Sequence, residues 1–401
     1  MAPRICCLDL DTFFVSVERL LDPTLQGKPV VVGGRKGGRG VVTSASYEVR
    51  AFGVRSGMSI QQATALAPHA VFVPGHHETY GEYSSGARAI VDRYSPIVRA
   101  ASIDEQYIDF HGCERLYRRP GDVDDDATIL RVVREITDAI EAELGLPSSA
   151  GIATSKPMAK VASALAKPRG VMLVAAGSEP ATLAPLLVRK LPGIGPVSEA
   201  KLNAVGIETL GQLAHAPEAT LRPIFGVYTS GIRRAALGIG ADELGRERPA
   251  FLEHDPRGER VGSISNERTF AETSARASET VLSALCERVC SRARKRGVLA
   301  GRVTLKIRYT DFRTITRSRT MAPTSSDMDI HRHVLDLYRR ARAPDRPIRL
   351  IGVALSKLDL YDGQLELFDQ SSPRGEAVDQ VRAKFGYDAL HLASSLKAFP
   401  Y

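Results

Sequence analysis

The chain has 401 residues, of which 43% are hydrophobic and 25% are charged, and its formal net charge is +8. This length suffices for several domains, and the lack of an apolar run of about 20 residues and of a signal peptide argues against membrane-spanning and secreted proteins. Five cysteines without CxxC pairs favour reduced thiols over a disulfide framework or a structural metal. We therefore expect a cytoplasmic protein with no membrane partner.

The first 167 residues show mixed helix and strand patterns. Short apolar runs rich in β-formers predict strands at residues 4–10 and 28–34. Apolar and acidic residues nearly alternate from Ser102 to Phe110, which predicts a strand that presents carboxylates on one face. Apolar residues at three- or four-residue spacing from Ala127 to Leu144 predict an amphipathic helix that covers the sheet.

The rest of the chain changes character twice. From Leu186 to Leu237, Gly/Pro turns separate short helical patterns, which predicts a small all-α domain. A polar segment with two prolines, Gly245 to Arg260, has the composition of a linker. Further strand and helix patterns follow and predict an α+β domain, with a helix at Ala377 to Leu390 near the end.

Positive charge is concentrated near the carboxyl end. From Arg257 to Lys357 there are 22 lysines and arginines against 10 acidic residues, a net charge of +12, so the remainder carries −4. This asymmetry favours a polyanionic partner held by one part of the chain while another part acts. A solvated basic face that serves solubility is the alternative.

Three carboxylates lie where an apolar strand pattern expects none: Asp9, Asp104 and Glu105. Two buried carboxylates about 4 Å apart would repel by roughly 4 kcal/mol at an effective dielectric near 20, so a cation should lie between them. Oxygen ligands without neighbouring His or Cys favour Mg²⁺, and two such ions can serve phosphoryl transfer. Alternatively, Asp9 and Asp104 are turn or capping residues.

Two further segments offer cations for a phosphate. Tyr47 and Arg50, in YEVR, are three residues apart and share a helical face. In SKPMAKVASALAKPRG a helix is predicted to start at Ser155, and Lys160 could reach the same anion. Ordinary solvated side chains on helices are the alternative for each residue taken alone.

Four segments occur in a familiar order: DLDTFFVSVE, SYEVRAFGVRSGM, SIDEQYIDF and SKPMAKVASALAKPRG. In this order and at this spacing the chain resembles the Y-family DNA polymerases of the DNA polymerase IV kind. The resemblance continues through LPGIGP to the basic domain and so covers essentially the whole chain. Gln106 departs from it, because relatives more often have a small residue beside this proposed metal ligand.

The resemblance implies an α+β multidomain fold, a right-hand polymerase with palm, fingers, helical thumb and α+β little finger. The implied boundaries are 1–10 and 77–167 for the palm, 11–76 for the fingers, 168–244 for the thumb with its helix-hairpin-helix, 245–257 for the linker, 258–362 for the little finger and 363–401 for the C-terminal segment. It also implies low-fidelity, template-directed addition of dNTPs to a primer end opposite damaged DNA.

The resemblance also implies a role for individual residues. Two Mg²⁺ ions, which Mn²⁺ could replace, would be held by Asp9, the Leu10 carbonyl, Asp104 and Glu105. The triphosphate of the dNTP would be bound by Thr12, Phe13, Phe14, Tyr47, Arg50 and Lys160. Phe14 would be the steric gate, with its ring where a 2′-hydroxyl would project.

Contacts with partners are implied at two motifs. Gly193 and Gly195 in LPGIGP would let backbone amides approach a phosphate of the primer-template DNA, although an ordinary turn between helices has the same composition. QLELF resembles the peptide by which bacterial polymerases dock on the sliding clamp, through Gln364, Leu365, Leu367 and Phe368. Packing of these apolar residues on the little finger is the alternative. We expect a monomer.

Two rival functions remain open at this point. A catalytically dead relative could serve as a scaffold on DNA, but it would lack one or more of the three carboxylates. Another metal-dependent palm enzyme, such as a nucleotide cyclase, would not need the LPGIGP motif, the basic domain or the linker.

Overall fold

The computed structural model describes residues 3–241, 244, 262–270, 275–360, 372–391 and 393–395. The chain divides into two compact units, Met1–Pro249 and Ala250–Tyr401. Both units contain helices and strands, as the sequence predicts. Every helix in the described part of the chain is too short or too polar to cross a membrane.

Two sheets form the framework of the first unit. Its strands, within the described residues, are β1 (Ile5–Leu10), β2 (Val30–Val32), β3 (Ser44–Ala45), β4 (Val71–Val73), β5 (Val98–Ala100), β6 (Glu105–Asp109), β7 (Ser148–Ala153) and β8 (Val171–Leu173). The five-stranded sheet has the order β5-β6-β1-β7-β8, and the three-stranded sheet has the order β3-β2-β4. Strand β1 is therefore the centre of the larger sheet, with antiparallel neighbours β6 and β7.

Helices cover the larger sheet and continue beyond it. They are α1 (Phe13–Leu21), α2 (Tyr47–Arg50), α3 (Ile60–Leu66), α4 (His77–Val91), α5 (Glu114–Tyr117), α6 (Asp125–Leu144), α7 (Lys156–Ala166), α8 (Glu179–Leu183), α9 (Pro196–Asn203), α10 (Leu210–His215), α11 (Glu218–Phe225) and α12 (Thr229–Ala236). Helices α9 to α12 lie in the segment from Leu186 to Leu237, for which the sequence predicts an all-α region.

The two faces of β1 belong to different cores because side chains alternate along a strand. Cys6 and Leu8 pack in one core with the apolar face of α6. Ile5 and Cys7 pack on the opposite face with residues of α7. Helix α7 approaches β7 closely at Gly151, where an added Cβ would lie 2.1 Å from the backbone nitrogen of Ser163.

The second unit is a four-stranded antiparallel sheet covered by helices on one face. Its strands are β9 (Ser263–Thr269), β10 (Val298–Tyr309), β11 (Thr314–Thr324) and β12 (Ile348–Leu360), in the order β11-β10-β12-β9. Its helices are α13 (Ala275–Lys295), α14 (Asp327–Ala341) and α15 (Ser372–Phe385). Alternate residues of β10 are buried in a core with α13 and α14, as expected for a sheet with one open face.

Several elements differ from their predicted bounds. The strand predicted from Ser102 begins only at Glu105, so Asp104 lies in the bend that precedes β6. The helix predicted for residues 377–390 is shifted, because α15 ends at Phe385 and Gly386 follows with a φ of 92°. Strand β8 lies beyond residue 167, where the palm was expected to end, and pairs with β7 in the larger sheet.

Ser155 precedes α7, as predicted, but its hydroxyl does not cap the helix. The hydroxyl donates instead to the carbonyl of Gly238, just after α12. The amide of Lys156 likewise donates to the carbonyl of Ala241, at 2.8 Å. Two hydrogen bonds thus join the start of α7 to the end of the helical region.

Candidate active site

Three acidic residues lie at adjoining ends of β1 and β6. Asp9 lies directly opposite Glu105 in the antiparallel register of the two strands. The amide of Leu10 donates to the carbonyl of Asp104 at 2.9 Å, which brings the preceding bend alongside β1. The Ser102 hydroxyl donates to the Asp104 carboxylate. The backbone therefore places all three acidic residues that the sequence singles out at neighbouring positions.

Burial and charge act against each other at Asp9. Burial raises the pKa of the Asp9 carboxyl, the contact with Lys167 lowers it, and the neighbouring Asp104 and Glu105 raise it again. The net effect is a pKa above the usual value. Negative charge is therefore costly here unless a cation is close, which is the expected condition of a cation-binding site.

Two lysines contact the carboxylates. Lys160 on α7 donates to Glu105, and Lys167, directly after α7, donates to Asp9. Burial alone would lower the pKa of Lys160, but the Glu105 carboxylate outweighs this effect and raises it. The two lysines are seven residues apart and so lie on one side of the helix. Sequence reasoning missed Lys167, although this spacing from Lys160 was a usable signal.

Asp11 is a second residue that sequence reasoning missed. Its side chain is 1% exposed and accepts hydrogen bonds from Ser149 Oγ at 2.7 Å and from the amide of Arg169 at 2.8 Å. The Tyr47 hydroxyl donates to it at 3.2 Å, and Lys167 Nζ is 3.4 Å away. Asp11 thus connects β7, the turn after α7 and the start of α2. Its signal was the second carboxylate in DLDT.

The donor set suits a hard cation. Asp9, Asp104 and Glu105 offer carboxylate oxygens, the ligand type that Mg²⁺ prefers. Across the described ranges of the chain, no three His, Cys, Asp or Glu side chains are close enough together to hold a metal ion. In this arrangement the lysine ammonium groups neutralise Asp9 and Glu105. The residues fit Mg²⁺ by chemistry, and their side chains would have to turn from the lysines towards it.

Anion-binding groups lie on the α1 and α2 side of the carboxylates. The Arg50 guanidinium lies 5.1 Å from the centroid of the Tyr47 ring, and its Nε donates to the Ala45 carbonyl at 2.9 Å. Burial and the nearby Asp11 raise the pKa of Tyr47, so its hydroxyl remains a donor. Helix α1 begins at Phe13, and the first-turn amides of a helix have no acceptor within it. These groups can bind a phosphate.

Phe14 is held by an aromatic stack. Its ring stacks on Tyr80 with centroids 4.2 Å apart and planes 16° apart, and the ring of His77 meets it edge-on at 5.9 Å. The Tyr80 hydroxyl donates to Glu18, which is 2% exposed and also accepts from the His76 amide at 3.1 Å. The position of the Phe14 ring is therefore fixed by a buried carboxylate four residues along α1.

Gln106 lies on the other face of the sheet from the carboxylates. It is opposite Leu8 and Ala100 in the register of β6 with its neighbours, and it is 5% exposed. Its Oε1 is buried and has no hydrogen-bond partner among the described residues. Because neighbouring residues of a strand point to opposite faces, Gln106 points away from the face of Asp9 and Glu105.

The LPGIGP segment forms a tight turn before α9. Gly193 has a φ of 95°, a conformation that favours glycine, and Gly195 precedes the helix with open space where a Cβ would be. Ile194 is buried in the core between them. The turn thus leaves the backbone at the start of α9 accessible to a ligand.

The open face of the second unit's sheet is polar and basic. We define this open face by the positions that alternate with the buried residues, and the registers of the four strands align them. They are Ser263, Ser265, Glu267, Thr269, Arg302, Thr304, Lys306, Arg308, Thr314, Thr316, Ser318, Thr320, Leu350, Gly352, Ala354 and Ser356. Hydroxyl and cationic groups predominate, as expected of a surface that contacts phosphates.

The QLELF residues lie outside the described part of the chain, as does the linker at 245–257. Helix α15, which follows QLELF, packs on α13 through Arg294 and Asp379, whose Nε and Oδ2 are 2.7 Å apart. Arg382 also contacts the fully buried Glu287. The chain after the motif is therefore anchored to the second unit.

Comparison with known families identifies both units. Residues 8–164 match the impB/mucB/samB family, and residues 261–367 match the impB/mucB/samB family C-terminal domain. DNA polymerase IV of Dehalococcoides mccartyi strain CBDB1 is 38% identical over 396 residues, 96% of each chain. DNA polymerase IV of Moorella thermoacetica is 34% identical over 406 residues, 98% of this chain and 96% of its own.

Solved structures agree on the fold. A Y-family DNA polymerase chimera of Dbh and Dpo4 has a TM-score of 0.74 at 23% identity, and covers 89% of this chain and 99% of its own. DinB from Sulfolobus solfataricus has a TM-score of 0.60 at 24% identity, with the same coverage. The α+β right-hand polymerase fold expected from the sequence is therefore confirmed.

Proposed function

Since the chain belongs to the impB/mucB/samB family and is a DNA-directed DNA polymerase of the Y family, we propose that Asp9, Asp104 and Glu105 catalyse its reaction by two-metal phosphoryl transfer. The protein carries out template-directed DNA synthesis and acts in translesion synthesis. The observation that carries the proposal is the cross-strand pairing of Asp9 with Glu105, with Asp104 joined to β1 by the Leu10 amide.

The metal ligands are the three carboxylates and the carbonyl of Leu10. Two Mg²⁺ ions, or Mn²⁺ in their place, would activate the primer 3′-hydroxyl and neutralise the leaving pyrophosphate. The raised pKa of Asp9 supports this assignment, because a partly buried carboxylate whose pKa is raised beside other charged groups is typical of a functional site. When no metal ion is bound, Lys160 and Lys167 balance the charge of the carboxylates.

The chain's own groups bind the triphosphate of the dNTP. The backbone amides of Thr12, Phe13 and Phe14 at the start of α1 and the paired side chains of Tyr47 and Arg50 are its donors. Lys160 adds an ammonium group. On nucleotide binding, this group would turn from Glu105 to the phosphates. Asp11 is a positioning residue, because it accepts a hydrogen bond from the Tyr47 hydroxyl and is a second carboxylate partner for Lys167.

Phe14 excludes ribonucleotides as a steric gate. Its stacking on Tyr80 supports this role, because a gate discriminates only when its ring cannot move aside. Tyr80 is in turn held by the buried Glu18. We therefore assign discrimination to the stack as a whole and not to Phe14 alone.

Primer-template DNA is held by two regions. The turn with Gly193 and Gly195 binds a backbone phosphate at the start of α9, and the open face of the second unit binds others. The domain boundaries given above for palm, fingers, thumb, linker and little finger belong to this proposal. So does docking of QLELF on the bacterial sliding clamp, which would raise the effective concentration of a monomeric polymerase at the primer end.

The test is primer extension by the Asp104→Ala variant. The variant should lose nucleotide addition with either Mg²⁺ or Mn²⁺ and should still bind primer-template DNA, because the DNA contacts lie elsewhere. Asp138→Ala, on the exposed face of α6, is the matched control and should keep full activity. Extension by Asp104→Ala at the control's rate would refute the metal assignment.

A further inference from the structure

Glu267 is the only acidic residue among the open-face positions named above. The face carries three cations, Arg302, Lys306 and Arg308, all on β10. Arg302 donates to the Thr320 hydroxyl at 3.4 Å and Arg308 donates to the Thr314 hydroxyl at 2.8 Å. Both arginines thus keep their charge for an outside partner. Lys306, between them in sequence, instead contacts an acidic side chain.

Lys306 is neutralised by Glu267. Its Nζ lies 2.8 Å from Oε1 and 3.1 Å from Oε2, although β9 and β10 are not neighbours in the sheet. The position between them on β12 is Gly352, which pairs with Lys306 on one side and with Glu267 on the other. A Cβ at Gly352 would lie 2.8 Å from Glu267 Cγ, so the glycine leaves the space in which the pair forms.

The ion pair contributes little to the stability of the fold. The side chains of Lys306 and Glu267 are 32% and 39% exposed, and pairs of this kind contribute about 0–1 kcal/mol. Its larger effect is electrostatic, because it removes one of three cations from the middle of a phosphate-binding surface. Lys306 and Arg308 are two residues apart, or roughly 7 Å along the strand, so both could otherwise contact the DNA backbone.

We propose that Glu267 restrains DNA binding by the open face, because it holds Lys306 in an internal ion pair across Gly352. The inference rests on the proposed role of this face in binding DNA. The pair sets the affinity for DNA below what the three cations would give. Such a lowered affinity lets the polymerase dissociate from DNA, which suits an enzyme that acts on short stretches of damaged template.

The test is the salt dependence of DNA binding by the full-length protein. Each phosphate contact adds about 0.9 to the slope of log K against log salt concentration for duplex DNA. Glu267→Gln keeps the size of the side chain and frees Lys306, so the slope should steepen by about 0.9. At low salt the affinity for a fluorescently labelled primer-template should rise about fivefold, as one added charge contact predicts.

Two further variants isolate the cause. Glu376→Gln removes the same charge from an exposed position on α15 and should leave the slope unchanged. In Glu267→Gln with Lys306→Met, the gain should disappear, because no cation is released. Circular dichroism checks that each variant is folded.

The possible results distinguish a failure of this proposal from a failure of the proposed role of the open face in DNA binding. An unchanged slope in Glu267→Gln, or a gain that persists without Lys306, overturns the proposal, since the second result would reflect plain repulsion by Glu267. A wild-type protein whose DNA binding does not depend on salt would instead refute the proposed role of the face in DNA binding.

Discussion

Replacement of Gln106 by leucine should stabilise the first unit without affecting catalysis. Gln106 is 5% exposed, and its Oε1 is buried without a partner among the described residues. Such an unsatisfied group costs about 1–3 kcal/mol, and leucine has a similar volume with no polar atom. Because the side chain faces the core beside Leu8, leucine adds apolar contacts on the face opposite the carboxylates.

The gain can be measured by urea unfolding and by calorimetry. We expect a rise of about 1–3 kcal/mol in the free energy of unfolding. The Tm should rise by about 2–4 °C for each kcal/mol in a unit of this size. The control is Gln61→Leu on the exposed face of α3, which should change stability by less than about 0.5 kcal/mol.

Two results would contradict this reasoning. A Gln106→Leu protein no more stable than wild type would mean that the amide is satisfied by water or by a relaxed neighbour. A folded variant that extends primers poorly would mean that Gln106 acts on the carboxylates through the strand. Primer extension should be measured under the conditions used for wild type.

Three other predictions concern the gate and the clamp. Phe14→Ala should raise ribonucleotide incorporation while dNTP use persists, and an unchanged rNTP to dNTP ratio in single-nucleotide kinetics would exclude Phe14 as the gate. Tyr80→Phe should lower stability by about 1–3 kcal/mol, because its carboxylate partner on α1 loses a donor; an unchanged urea midpoint would count against this. Alanine at Gln364, Leu367 and Phe368 should preserve synthesis on short primers but abolish clamp stimulation on long templates, and equal stimulation would show that QLELF has another role.

Periodicity in the sequence predicted several elements of the framework. The amphipathic pattern before Leu144 corresponds to α6, and the two central strands of the second unit were recognisable from their β-formers. The carboxylates were identified because each interrupts an apolar pattern. These features are local, so a single sequence contains them.

Features that depend on distant contacts were not predictable in the same way. Asp11 follows Leu10 in the same run as Asp9, and only the register of β7 and the turn at Arg169 show that it is buried and fully bonded. The orientation of Gln106 was not predictable from its place beside Glu105 in the sequence, because a strand directs neighbouring side chains to opposite faces.

The attachment of α7 has a mechanical consequence. The helix begins at residues hydrogen-bonded to Gly238 and Ala241, and Lys167, directly after its end, contacts Asp9. Its 11 residues form a stiff rod about 16 Å long. Any displacement of the segment after α12 along this rod moves the ammonium groups of Lys160 and Lys167 together. If the helical region binds a duplex as proposed, a shift of that region would thus alter the charge balance beside the carboxylates.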